Sequence, residues 1–248
     1  RPYSFVLEWG SHTNELATHL LDTPLVPYYI ALITAIFGRS ELILHLAFIL
    51  FTLVGTISFY FLAKKFSSWP LAATLTMISA PTFLVSSHNL MLDAPMASIF
   101  LLAAGLFIYG VDKNSHKLMA YGSIAAGFAY LAKPNAIFVI PLLAFYCILN
   151  RKPKYILYQI IPVLFIVLFS LHNYYFEDKV LIKEYVPFIY GKKEGSLSII
   201  MAYFFSNLSY VGGATIFTFF LIYPFVLRRK NLLLFLASLL ASAILSIL

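Results

Sequence analysis

Apolar residues run through this chain in long unbroken stretches. They do not follow the three-to-four-residue rhythm of a water-facing helix or the alternation of a half-buried strand. Stretches long enough to cross a bilayer as helices fall at 43–63, 69–86, 94–111, 117–132, 135–150, 155–172, 209–227 and 231–248. Crossing the hydrocarbon core takes roughly 17–25 residues, and two of these runs fall slightly short. No run alternates with period two, so a β-barrel is not expected. The predicted fold is all-α, a polytopic integral-membrane helical bundle with helices lying on its outer face. One of these is "TPLVPYYIALITAIFG" (23–38), which is short for a span. Its early prolines and Gly38 frame about three helical turns, and the segment is expected to lie on the outer leaflet. Read as a full span instead, it would invert every later loop. A second interfacial helix is expected near 197–208, with a break or close packing at Gly212-Gly213.

The gaps between runs give an orientation. "KKFSS" (64–68), "VDKNSHK" (111–117), "RKPK" (151–154) and "RRK" (228–230) occupy every second gap and hold ten Lys or Arg with one acid, Asp112. The opposite side holds seven basic residues and nine acids. Basic loops stay cytoplasmic, so this alternation puts them inside and the polar segments outside. The outer side comprises residues 1–42, the turn from His88 to Asp93, the Lys133-Pro134 junction and the loop from His172 to Ser196.

Composition agrees with lipid as the solvent. Of 248 residues, 61% are hydrophobic and 11% are charged, against about half and a quarter in a soluble domain. The net charge of +7 is accounted for by the loops; no nucleic-acid-binding motif accompanies it, and no nucleic-acid partner is expected. Cys147 is the only cysteine, so it has no intramolecular disulfide partner and reads as a buried structural thiol.

Within this background "SSHNLMLDAPMASIF" (86–100) stands out, because Asp93 is the sole charged residue between Leu71 and Tyr109. Followed by Ala94-Pro95 and an apolar run, it suits a helix N-cap. An ionisable group at the membrane is equally a functional-site candidate, able to bind a cation or donor group or to act as a base. His88 and Asn89 share its turn and are placed to pair with it, or serve as ordinary loop residues. Lys133, before Pro134, either snorkels to the interface or offers a positive charge to a phosphate beside the next helix start. In "EWGSHTNELATHLLD" (8–22), Glu8, His12, Glu15, His19 and Asp22 share one face if the segment is helical. That face is either the wet side of a surface helix or a weak divalent-metal candidate. The loop "HNYYFEDKVLIKEYVPFIYGKKEGS" (172–196) mixes aromatics with both charge signs. It reads as a site cover, a headgroup contact or a solvated connection.

The order of these features resembles the glycosyltransferase C superfamily, and most of all the branch of dolichyl-phosphate-mannose protein mannosyltransferases and bacterial lipid A aminoarabinose transferases. The matching stretches are "DTPLVPYYIALITAIFG", "ELILHLAFILFTLVGTISFYFLAKKF", "SSHNLMLDAPMASIFLLAAGLFIYG" and "GSIAAGFAYLAKPNAIFVIPLLAFY". They are similar, in turn, to a Pro-Pro-Leu-like juxtamembrane helix, a span ending in a Lys/Arg-rich turn, a Thr-Asp-Ala-Pro-like acid motif, and a span ending in Thr-Lys before a new helix. The likeness covers about residues 20–150, and the order of the motifs is more specific than any one of them.

The resemblance implies transfer of a sugar from a polyprenyl-phosphate donor to an acceptor glycan, lipid or protein on the extracytoplasmic face. Asp93 matches the family's second acid and Lys133 its later lysine, facing the donor phosphate. The family's first-loop acid serves as the base and follows a first span that is not seen here. Residues 1–248 are therefore expected to be one transmembrane catalytic domain lacking that first span upstream and further spans downstream. Cofactors are open, with a divalent metal as one option. The expected location is a bacterial or archaeal plasma membrane, multi-pass, with the site facing outward. The competing readings are a multi-pass transporter or lipid flippase, which usually shows inverted repeats and midplane polar residues, and a non-catalytic membrane scaffold.

Overall fold

The computed structural model describes residues 6–9, 12–16 and 23–177. The spans predicted at 209–227 and 231–248, the interfacial helix near 197–208 and most of the loop 172–196 lie outside these residues. The order is a hairpin of β1 (Val6–Trp9) and β2 (His12–Leu16), then α1 (Leu25–Phe37), α2 (Glu41–Phe66), α3 (Pro70–Ser79), α4 (Pro81–His88), α5 (Asp93–Lys113), α6 (His116–Ala132), α7 (Val139–Leu149) and α8 (Ile160–Glu177). Single 3-10 segments, Pro134–Phe138 and Pro153–Gln159, lead into α7 and α8. The all-α bundle expected from the apolar runs is present, with the small antiparallel hairpin added to it.

Among the described residues, three elements are long and apolar enough to cross a membrane: Glu41–Phe66, Asp93–Lys113 and Pro153–Tyr175. Three predicted runs are subdivided, 155–172 by the 3-10 segment that precedes α8. The run 69–86 breaks into α3 and α4 because Pro81 has no N–H to donate and pushes Ala80 to ψ 131°. The run 135–150 opens as a 3-10 turn before becoming α7, again behind a proline.

Many residues inside the bundle are small, with a few large ones such as Phe48, Phe107, Met119 and Leu143 among them, and those outside are large and apolar. Leu46, Leu50, Leu53 and Ile57 of α2 are exposed, as are Leu164 and Leu168 of α8, whereas Ala103, Ala104, Ala126, Ala129 and Ser123 are buried. With lipid as solvent, tight van der Waals contact between helices replaces the hydrophobic effect as the packing force, and small residues permit that contact. The α5–α6 pair shows it most clearly. A Cβ on Gly122 would stand 2.6 Å from the backbone nitrogen of Phe107 and 2.9 Å from the carbonyl oxygen of Ala103. Gly55 of α2 meets Ser98 of α5 in the same way, at 2.6 Å from Oγ.

A two-residue turn joins α5 to α6 and makes them antiparallel. Asn114 takes the left-handed conformation (φ 51°), and the amide of Ser115 bonds to the carbonyl of Gly110 at 2.8 Å, closing α5 as a Schellman-type C-cap. Ser115 then caps α6 through its hydroxyl, which accepts from the amide of Leu118. The lysine and tyrosines of the following loop fasten this turn. Lys152 Nζ donates to the Val111 carbonyl at 2.6 Å and to Asn114 Oδ1 at 2.9 Å. The Tyr155 hydroxyl donates to the same Oδ1 at 3.1 Å. Asp112 is held by an ion pair with Lys65 and by the Tyr146 hydroxyl at 2.8 Å.

At the other end of the pair, α1 packs across the bundle. Val26, Phe48 and Ala132 form a buried cluster with Leu90 and Leu92 beside it. The Tyr29 hydroxyl donates to the Ala47 carbonyl at 2.8 Å, and its ring meets Phe51 edge-on at 4.9 Å. Burial pushes the Tyr29 phenol above its ordinary range, which keeps it a donor.

Close contact at Gly122 makes its substitution costly. Gly122→Leu should lower stability by about 1–3 kcal/mol, the usual effect of overpacking. Tyr121→Leu, on an exposed position of the same helix, should change it by no more than about 0.5 kcal/mol. Thermal melting of both variants in one detergent checks this; equal melting temperatures would refute the packing account.

Candidate functional site

Lys133 and Asp93 meet at the end of the bundle away from the Asn114 turn. Lys133 Nζ donates to Asp93 Oδ1 at 2.6 Å. The meeting follows from the chain's local chemistry. Pro134 disfavours helical geometry in the residue before it, so α6 stops and Lys133 takes an extended backbone (φ −159°, ψ 132°). Asp93 opens α5. Antiparallel helices joined at 114–115 carry these two residues back to the same level, apart from an offset of about one turn. The lysine's four-carbon stem spans that offset.

The pair is half open: the side chain of Asp93 is 44% exposed and that of Lys133 31%. Such a pair adds roughly 0–1 kcal/mol to stability, too little for the fold to depend on it. The other two N–H donors of Lys133 meet no acceptor among the described residues. The N-terminus of α5 also lies at Asp93, where its dipole favours negative charge.

The structure corrects several readings of this region. The N-cap of α5 is Leu92, not Asp93; Asp93 is the first helical residue, makes no cap hydrogen bond and gives its carboxylate to Lys133. Asn89 does not pair with Asp93. It terminates α4, its side-chain amide donating to the Val85 carbonyl at 3.0 Å. His88 is the last residue of α4 and makes no hydrogen bond with Asp93. Both belong to the turn before α5 without joining the ion pair.

The N-terminal metal candidates lose their shared helical face. Glu8 lies on β1, and His12 and Glu15 on β2, where backbone register pairs Leu7 with Glu15 and Trp9 with His12. The spacing of four and three residues aligns side chains only on a helix, and an extended chain does not keep it. His19 and Asp22 lie outside the described residues. Among the described residues, no three His, Cys, Asp or Glu side chains gather closely enough to share an ion.

Thr23 was not singled out from sequence. It is fully buried at the start of α1, and its hydroxyl has no hydrogen-bond partner among the described residues. Val26, three residues on, packs on Ala132 beside Leu92, so Thr23 belongs to the same end of the bundle as the ion pair. A threonine before a proline carries no sequence signal that separates this position from an ordinary turn.

The opposite end of α5 holds the Lys65–Asp112–Tyr146 group, about 30 Å away along a 21-residue helix. This is roughly the thickness of the hydrocarbon core. The two polar clusters therefore sit at opposite ends of one membrane-spanning helix.

Comparison with known proteins gives one family. The profile of the dolichyl-phosphate-mannose-protein mannosyltransferases matches residues 22–175, which include α1 through nearly all of α8. No curated protein and no solved structure matches the chain. A match over more than half of the sequence, joined to apolar spanning helices in the expected order, identifies the chain as a multi-pass membrane protein belonging to the dolichyl-phosphate-mannose-protein mannosyltransferase family, within the glycosyltransferase C superfamily.

Proposed function

We propose that the Asp93–Lys133 pair forms part of the outward-facing site at which this membrane glycosyltransferase takes a sugar from a polyprenyl-phosphate donor. The observation that carries this reading is the contact itself, in which a lysine with donors unused among the described residues is held beside a helix N-terminus at one end of the bundle. In this reading an acceptor hydroxyl attacks the anomeric carbon, the bond from that carbon to the donor phosphate oxygen breaks, and polyprenyl phosphate leaves with the electron pair. Lys133 stabilises the charge gathering on the leaving phosphate, an effect that is large when the donor is already in place. Asp93 acts as a positioning residue: it holds the ammonium in place and fills the role of the family's second acid. The hydroxyl proton goes to a different carboxylate, the family's first-loop base. The acceptor is a glycan, a lipid or a protein.

The proposed location is a bacterial or archaeal plasma membrane with this end of the bundle outside. The supporting features are the basic gaps, whose described members Lys64, Lys65, Lys113, Lys117, Arg151, Lys152 and Lys154 all flank helix ends away from Asp93. Helix α1 then rests on the outer leaflet with Tyr28, Leu32 and Ile36 exposed as one apolar stripe.

Two results are expected. In the full-length protein, Lys133→Met should lower turnover with a polyprenyl-phosphate sugar by about 10²-fold, the usual loss for one preorganised electrostatic contact. Asp93→Asn should also impair transfer, with melting shifted by no more than about 1 kcal/mol in either variant. Unchanged turnover in well-folded variants would overturn the assignment. For sidedness, Met91→Cys and Lys117→Cys are each made in a Cys147→Ser background. An impermeant maleimide added to whole cells should label the first and not the second; the reverse pattern would place the site inside.

A further inference from the structure

A groove of about 590 Å³ opens at the basic end of the bundle, where the start of α6 meets the 3-10 turn before α8. One part of its wall is polar. His116 Nδ1 is hydrogen-bonded to the Tyr158 hydroxyl at 2.6 Å, and Lys154 lies 5.0 Å from the centre of the Tyr155 ring. The other part is aliphatic, formed by Leu157 and Ile160, which are 68% and 55% exposed. The aliphatic part does not end at the groove. Ile160, Leu164, Leu168 and Leu171 continue it along α8 as one exposed stripe at helical spacing.

We propose that this groove is a binding site for an anionic phospholipid, with the phosphate on Lys154 and His116 and an acyl chain along the α8 stripe. The choice of an anionic headgroup follows from charge. Asp112, the only acid in the basic gaps of the described region, is already taken by Lys65 and Tyr146. Among the described residues, Lys154 has no carboxylate partner, and Lys117 and Arg151 near this end have none either. A choline or ethanolamine cation meets no opposing carboxylate in the groove, and the Tyr155 face that would attract it is occupied by Lys154. A phosphate meets unneutralised positive charge, and basic pockets between membrane helices are general headgroup sites. The choice of a lipid over a soluble phosphate follows from the exposed aliphatic stripe leading away from the cation. The site is independent of the sugar-transfer reading, because it lies at the far end of the bundle from Asp93 and Lys133.

Native mass spectrometry of the purified full-length protein, incubated with equal amounts of phosphatidylglycerol and phosphatidylcholine of matched chains, tests the site. The wild type should retain phosphatidylglycerol over phosphatidylcholine by about fivefold for the one cation in the groove. Lys154→Gln should abolish that preference, whereas Lys117→Gln, outside the groove lining, should leave it. Leu157→Asn keeps the charge and removes part of the chain seat, so it should reduce retention of phosphatidylglycerol and read the site even if Lys154→Gln disturbs folding. Equal retention of the two lipids by wild type would overturn the proposal. So would equal losses in Lys154→Gln and Lys117→Gln, which indicate a diffuse basic surface, unaltered retention by Leu157→Asn, or full displacement by millimolar glycerol phosphate, which indicates a soluble-phosphate site.

Discussion

Helices α5 and α6 lie against each other closely enough that Gly122 has no room for a methyl group, and this contact sets where Asp93 and Lys133 meet. A left-handed Asn114 and the two-residue turn fix where the helices begin to run antiparallel. The spacing from that turn determines which residues meet at the other end. A larger residue at Gly122 would push the helices apart, and the short reach between Lys133 and Asp93 would fail with them. The ion pair is therefore a consequence of packing, not its cause: a half-exposed pair contributes too little to hold two helices together.

The same arrangement separates the two ends chemically. Each is stapled by interactions that a lipid core would not tolerate at its centre, and α5 spans the distance between them. At one end Lys65 and Tyr146 bind the Asp112 carboxylate, while Lys152 and Tyr155 bind Asn114 and Lys152 also reaches the Val111 carbonyl of α5. At the other, Asp93 and Lys133 satisfy each other only in part and remain open. The first cluster ties α2, α5, α7 and the turn after α7 together. The Asp93–Lys133 pair is the more exposed of the two, and residues 22–175 around it belong to the mannosyltransferase family.

Much of this was legible in the sequence because lipid imposes simple rules. Unbroken apolar runs located α2, α5, α6 and α8, and "KP" located the end of α6 and the lysine that leaves it. Pro81 was visible too, but run length alone masked its effect, and one predicted span became two helices. The cap assignment at Asp93 failed because sequence offers neighbours along the chain, whereas its partner lies forty residues away. Spacing at Glu8, His12 and Glu15 suits a helix face, but these three residues lie on β1 and β2 instead. Asp112 is the lone acid among the basic gaps, yet its ties to Lys65 and Tyr146 depend on three helices converging, which no local pattern encodes.

The central claim is that Asp93 and Lys133 have distinct chemical roles in sugar transfer and are not merely a structural ion pair. Exchanging them, as the double variant Asp93→Lys/Lys133→Asp in the full-length protein, separates the two readings. The account predicts a folded protein with melting close to wild type, because opposite charges still meet, and loss of transfer from a polyprenyl-phosphate sugar, because the phosphate now faces a carboxylate where the ammonium stood. Transfer restored to near the wild-type rate in the exchanged protein would contradict it.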